Sequence, residues 1–379
     1  MLQGADVMLA DGRNQTPLDF AMNQGNQSIV QLLLGRGKWC LRHILSSPDS
    51  STLWWPSVTF SPDFTLMAST GLREVHLWDT ATGRRMRSFA WKVHAGCLTT
   101  CFSPNSRILA FAKTSHTLNI CEVETGILLN SYTGCSAIRQ IAFSPNSDEF
   151  AVESSYGTIR YWAEVQGNPR TTYRTIHLLW KDRARFSPDL KLFAIAPSDG
   201  KIEIRHVSTG QLQRTLKQED MHLPKMTFSP NSRFLAATTF SCRPALWDIE
   251  SGELLELNWY ADMFESEILF SPDSKLVGLR TEYWSSEGMA LKLWNVETGA
   301  KKGKWKVPRG HGRVELSPNL VQAVTHTKND VRVWDMQTQQ AHQVITCDCR
   351  SVVYSPDSRL AAILLLDGSI QLWDVSWIQ

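Results

Sequence analysis

An all-β ring of eight four-stranded blades is the fold class this sequence predicts, and three observations predict it. A tetrapeptide made of an aromatic residue or Leu, then Ser, Pro, and Asp or Asn, recurs eight times at intervals of about forty residues. Each copy sits between strand-like runs, and each is followed by a third run that closes on a Trp-Asp pair or a relic of one. Self-similarity at a period of that length marks a repeat architecture, and four strands per period make one blade of a propeller.

The copies are FSPD at Phe60 and, further on, at Phe186 and Phe270, FSPN at Phe102, Phe143 and Phe228, LSPN at Leu316 and YSPD at Tyr354. Their prolines are spaced by 42, 41, 43, 42, 42, 46 and 38 residues. Proline presets φ for the first central position of a turn and Asp or Asn suits the second, so each copy reads as a hairpin turn between the first two strands of a blade. The third strands end at Trp78-Asp79, Cys121-Glu122, Trp162-Ala163, Arg205-His206, Trp247-Asp248, Trp294-Asn295, Trp334-Asp335 and Trp373-Asp374, four of which keep Trp-Asp intact. Turns such as TATG, VETG, VSTG and IESG then lead into a fourth run.

From Lys38 to Gln379 this pattern resembles the WD-repeat β-propeller family, most clearly in FSPDFTLMASTGLREVHLWDTATG and LAAILLLDGSIQLWD. The resemblance implies that the sequence repeat is offset from the structural blade, so that a strand ahead of the first anchor completes the last blade. The eighth copy has three strands and no fourth, while KWCLRHILS precedes the first anchor with no blade of its own. Residues 38–45 are therefore expected beside Ser369 to Trp373, closing the ring and removing the sheet edges an open array would expose. A seven-bladed ring with one displaced copy is the alternative; it is disfavoured because every copy carries its own anchor and third strand.

Residues 1–37 follow another grammar. Pro17 sits in the first turn of a helix that Gly25 ends, and Ile29, Val30, Leu32 and Leu33 give the next helix an apolar face. TPLDFA and IVQLLL resemble one ankyrin repeat, and the preceding GADV resembles the tail of an earlier one. One such unit cannot bury its apolar face alone, so this short α-helical segment is expected to lean on the propeller or on further repeats in a longer protein. The domain division is thus an ankyrin-like repeat over 1–37 and a propeller over 38–379.

Composition sets broad bounds. With 42% hydrophobic and 20% charged residues, the 379-residue chain has the make-up of a globular protein. A net charge of +2 supplies no global field for nucleic acid or anionic membrane. The longest apolar stretch, LAAILLL, is too short to span a bilayer. Eight scattered cysteines without paired spacing fit reduced thiols, and a cytoplasmic location is expected, with the nucleus as the other compartment.

Motifs for catalysis are absent: there is no phosphate loop, no H-E-x-x-H and no G-x-S-x-G. His94, Cys97 and Cys101 lack a fourth zinc ligand, and Cys347 and Cys349 stand at a similar strand entry; packing is the expected role of both groups. No metal, cofactor or catalytic residue is expected. Family resemblance implies that a His ahead of a first strand bonds an Asp in the second hairpin turn; His177 with Asp199, and more loosely His311 with Asp330, are so placed.

Functional promise concentrates where the innermost strands begin. Three residues before the anchors stand Ser57, Thr99, Gln140, Arg183, Lys225, Glu267, Arg313 and Ser351, with Arg139 and Arg350 one residue earlier. In a closed ring these surround one mouth of the central channel, giving a mostly basic rim broken by Glu267. Such a rim suits acidic or phosphorylated peptides through charge-assisted hydrogen bonds, although strand-end charges are often simply solvated. The longest insertion, RTEYWSSEGMALKLW, carries Tyr283 and Trp284 at its tip and is a candidate contact loop. The expected function is a non-catalytic scaffold or adaptor for other proteins; family resemblance adds the sensor end of a larger signalling protein. The alternatives are an enzyme with its site at the channel mouth and nucleic-acid binding by the basic rim.

Overall fold

The computed structural model describes residues 39–46, 57–71, 74–90, 99–114, 117–133, 138–154, 158–165, 173–177, 184–196, 201–217, 225–238, 244–255, 257, 266–281, 290–306, 313–336 and 338–375. The ankyrin-like reading of residues 1–37 lies outside them. Within them the chain forms eight four-stranded antiparallel sheets, each a blade of a propeller. The inner strands of blades 1 to 8 are Val58–Phe60, Thr100–Phe102, Ile138–Phe143, Arg185–Phe186, Lys225–Phe228, Ser266–Phe270, Arg313–Leu316 and Cys349–Tyr354. Seven blades are continuous in sequence; the eighth takes its outer strand, Cys40–Leu45, from the other end of the chain, where it pairs antiparallel with Ile370–Asp374.

Each Ser-Pro-Asp/Asn copy forms the turn between the first two strands. In blade 1 the Ser61 hydroxyl donates to Asp63 Oδ1 at 2.6 Å and accepts from the Leu66 amide at 2.9 Å, while the Phe64 amide bonds Ser61 O at 2.9 Å. All eight such serines are buried, so these bonds satisfy polar groups that water does not reach. The residue after Asp or Asn is left-handed every time, from Leu190 at φ 56° to Ser147 at φ 66°. A side chain there costs about 1–2 kcal/mol, which a neighbouring bond can offset.

Five of these left-handed residues are serines that reach the preceding blade. Ser106 accepts the Asp63 amide, Ser147 that of Asn105, Ser232 that of Asp189, Ser274 that of Asn231 and Ser358 that of Asn319, all at 3.0–3.1 Å. At the other three junctions the position holds Phe64, Leu190 or Leu320, and different polar contacts cross. Glu153 of blade 3 accepts the Ala184 amide at 3.0 Å, Arg280 of blade 6 donates to Val314 O, and His43 of blade 8 meets Ala81 O at 2.8 Å.

The core is divided in the same way. Alternate residues of the inner and second strands enter eight buried apolar clusters, one at each junction. Phe150 and Trp162 stack between blades 2 and 3 with ring centroids 4.6 Å apart and 4° between planes. The cluster joining Leu360, Ala362 and Leu372 of blade 8 to Val58, Phe60 and Met67 of blade 1 closes the circle. Closure covers the blade faces that an open array would expose, while each sheet keeps a short outer edge strand.

Candidate interaction surface at the channel mouth

The period of two along each inner strand decides what faces the channel. In Val58–Phe60 the first and third residues are buried between blades while Thr59 is half-buried; blades 3, 4, 5 and 8 repeat this alternation, and the residue before the anchor is half-buried in all eight. The residue before each anchor, namely Thr59, Cys101, Ala142, Arg185, Thr227, Leu269, Glu315 and Val353, therefore lines the wall, and the residue three before it stands at the mouth. Sequence reasoning singled out the mouth and passed over the wall, where Arg185 and Glu315 are the charged members. A step of two along the strand from the mouth positions would have found them.

At the mouth, Lys225 and Arg313 are the first residues of their strands and both are exposed. Arg139 and Arg350 arise differently. The pairing of blade 3 skips from Ile138 to Gln140, and that of blade 8 skips from Cys349 to Ser351, so each arginine is the extra residue of a bulge. A bulge re-aims the side chain it carries. Arg139 is exposed and Arg350 half-buried. Among the described residues no carboxylate pairs with Arg139, Lys225 or Arg313. Glu267 lies in its inner strand, paired with Arg280 in backbone register. Arg183, Tyr283 and Trp284 lie outside the described residues, as do His94, Cys97, Asp199 and His311.

The electrostatics around Arg313 fit a cationic mouth. His326, its antiparallel partner, is 4% exposed, and its Nε2 has no hydrogen-bond partner. Burial, and secondarily the Arg313 charge, lower its pKa to about 4, so the ring is neutral at physiological pH. Burial first and the Glu315 carboxylate second push the Tyr354 hydroxyl well above its ordinary range. Among the described residues, no three His, Cys, Asp or Glu side chains converge in a way that would hold a metal ion.

One cleft at the opposite end of the ring is mostly acidic. Between blades 2 and 3, beside the turns at Asn105 and Asn146, a cleft of about 660 Å³ is lined by Glu122, Asp148, Glu149 and Glu164, with Arg107 the counter-charge. Sequence reasoning did not find it, because its carboxylates come from separate turns of two repeats. The marked Trp positions are structural: Trp78 Nε1 donates to Ser69 Oγ at 2.8 Å and Trp334 Nε1 to Thr325 Oγ1 at 2.9 Å.

Fold and repeat period together define the class, an eight-bladed β-propeller. Residues 126–163 match the family model described as WD domain, G-beta repeat. A protein of Arabidopsis thaliana, Transcriptional corepressor LEUNIG_HOMOLOG, is 25% identical over 291 residues, which is 73% of this chain and 34% of the relative. The chain thus spans about a third of that relative's length. The crystal structure of the computationally designed Ika8 protein is similar in fold, with a TM-score of 0.59 over 84% of this chain and 95% of that one at 18% identity. No helix among the described residues is long and apolar enough to cross a membrane.

Proposed function

We propose that this propeller is a non-catalytic scaffold that holds other proteins at its channel mouth, where acidic or phosphorylated segments meet Arg139, Lys225, Arg313 and Arg350. The observation that carries this reading is that Arg139, Lys225 and Arg313 are exposed at the same ends of the inner strands with no described carboxylate beside them. Guanidinium and ammonium groups carried on fixed strand ends bind a carboxylate or phosphate through charge-assisted hydrogen bonds that outweigh the roughly 0.5–1.5 kcal/mol cost of ordering each side chain. Arg183, Glu267, Tyr283 and Trp284 belong to the same proposed surface, with Glu267 setting where an acidic ligand is turned away.

The similarity to a transcriptional corepressor supports a role in multiprotein assemblies and adds the nucleus to the cytoplasm as a working location. Residues 38–379 would form the binding module and residues 1–37 an ankyrin-like repeat. An enzymatic site at the mouth is the weaker reading, since among the described residues no nucleophile, general base and oxyanion donor set converges there.

Fluorescence anisotropy with peptides of equal length tests the proposal. Acidic and phosphoserine-containing peptides are expected to bind, neutral and basic ones to bind at least tenfold more weakly, and Arg139→Glu/Lys225→Glu/Arg313→Glu to abolish the difference, since each charge-assisted bond is worth roughly 1.5–3 kcal/mol. Equal binding by the folded variant would overturn it. Tighter binding of RNA or duplex DNA, with a steep loss on adding salt, would favour nucleic acid instead.

A further inference from the structure

We propose that Cys347 and Cys349 form a reversible dithiol–disulfide pair in the loop that joins blade 7 to blade 8. In an extended strand, residues two apart have Cα atoms roughly 6.8 Å apart, at the outer limit for a disulfide. Here the chain is not extended. The Cys349 amide bonds Cys347 O at 2.9 Å, a three-residue turn that brings the two cysteines together. Their thiols are close enough to influence each other's titration.

Neighbouring turns hold this geometry. The Cys347 amide donates to Asn329 O at 3.1 Å, the Cys349 amide also to Lys328 O at 3.0 Å, and the Leu366 amide to Asp348 O at 2.9 Å. The loop is thereby fixed to turns on both sides, and bridging the two sulfurs asks for little further ordering.

The two thiols differ in a way that assigns their order of reaction. Cys347 is half-buried, whereas Cys349 is 3% exposed, so a reagent in solution meets Cys347 first. The bond from Cys349 lowers the Cys347 pKa, against opposing contributions from burial, Asp348 and Asp330. The same bond, with burial, raises that of Cys349. Other described cysteines lack this arrangement: burial pushes Cys101 up to about 12 and Cys121 up to about 11, and Cys40 is raised as well.

With a low-molecular-weight disulfide such as oxidised glutathione as the oxidant, the Cys347 thiolate attacks one of its sulfurs and expels the first glutathione as thiolate. Cys349 then attacks the Cys347 sulfur of the mixed disulfide, giving up its proton as the second glutathione leaves. Two protein thiols are oxidised to one disulfide, and one glutathione disulfide is reduced to two thiols. The pair adjoins Arg350 at the channel mouth, but its chemistry does not depend on what that mouth binds.

The test equilibrates the full chain in glutathione redox buffers, quenches with acid, alkylates free thiols and reads the peptide carrying both cysteines by mass spectrometry. In oxidising buffer that peptide is expected to lose two hydrogens, to escape alkylation and to regain both thiols on reduction. In Cys349→Ser, glutathione is expected to accumulate on Cys347 by about tenfold over the wild type, because nothing resolves the mixed disulfide. In Cys347→Ser, Cys349 is expected to remain a free thiol. Wild-type protein that stays fully alkylatable, or that carries stable glutathione on either cysteine, would overturn the proposal without any variant having to fold.

Discussion

The indole Nε1 of Trp39 donates to Oε1 of Gln322 at 3.0 Å, joining two buried residues that are 283 positions apart in sequence. Gln322 belongs to the second strand of blade 7, and its amide nitrogen also donates to Val375 O at 3.1 Å, just past the last strand of blade 8. A single side chain thus holds the segment that leads into the outer strand of blade 8 and the segment that leaves that blade's third strand. Gln343 adds to the grip by accepting from the Trp39 amide at 2.6 Å and donating to its carbonyl at 3.2 Å. Sheet pairing alone does not therefore close the ring.

Gln322→Leu is expected to destabilise the protein by about 1–3 kcal/mol, because it strands a buried indole N–H and a buried carbonyl. Trp39→Ala removes a buried ring that meets Tyr354 edge-on at 5.7 Å and should cost about 3–5 kcal/mol. Urea unfolding followed by tryptophan fluorescence measures the first and circular dichroism the second. Limited proteolysis should cut the Trp39→Ala variant first near Cys40–Leu45.

The links between turns can be tested at Ser232. Its φ of 60° and its bond from the Asp189 amide at 3.0 Å separate two effects that a single substitution would mix. Ser232→Ala keeps the left-handed strain and loses the bond, at an expected cost of about 0.5–1.5 kcal/mol. Ser232→Gly loses the same bond but relieves about 1 kcal/mol of strain, so it should be the more stable of the two in chemical denaturation.

The repeat made most of this fold legible. Eight anchors at a regular period fixed the number of blades, the turns and the third strands, and an orphan run ahead of Phe60 beside a three-stranded final copy pointed to a closing strand. What holds neighbouring blades together was less visible. The left-handed residue follows Asp or Asn in every copy, but only contact with the previous blade shows why Ser recurs there and why Phe64, Leu190 and Leu320 need other bonds. Arg139 and Arg350 were picked out by position, yet the bulges that aim them depend on pairing register, which no local pattern encodes. The acidic cleft between blades 2 and 3 is a property of two repeats brought together and belongs to neither alone.

A contact between the outer strand of one blade and the third turn of the next explains Gly83. Its φ is 67°, and a Cβ there would lie 2.5 Å from His43 Cγ. Gly83→Ala is expected to cost more than 1–2 kcal/mol, the penalty for the left-handed conformation alone. Adding His43→Ala should recover the steric part, so the two changes would be non-additive in a double-mutant cycle. Additive costs would show that the imidazole yields without strain.

His326 gives stability a particular dependence on pH. Its pKa is about 4 when folded against 6.5 for an unburied imidazole, so the unfolded chain binds more protons between those values. The contribution is therefore fully present above about pH 6.5, falls as pH drops toward 4 and levels off below, up to about 3 kcal/mol in all. His326→Gln should flatten the stability profile in that window while leaving the carboxylate titrations below it in place. Stability measured by denaturant unfolding at half-unit intervals from pH 4 to 7 would show the difference.

Partners are expected to seat on the mouth where the inner strands begin. Hydrogen exchange of the whole chain, alone and saturated with its tightest acidic or phosphorylated peptide, tests it most directly. Slower exchange is expected at Ile138–Phe143, Lys225–Phe228, Arg313–Leu316 and Cys349–Tyr354, with the Ser-Pro-Asp/Asn turns at the opposite end unchanged. Protection confined to those turns or to the outer strands at saturation would contradict it.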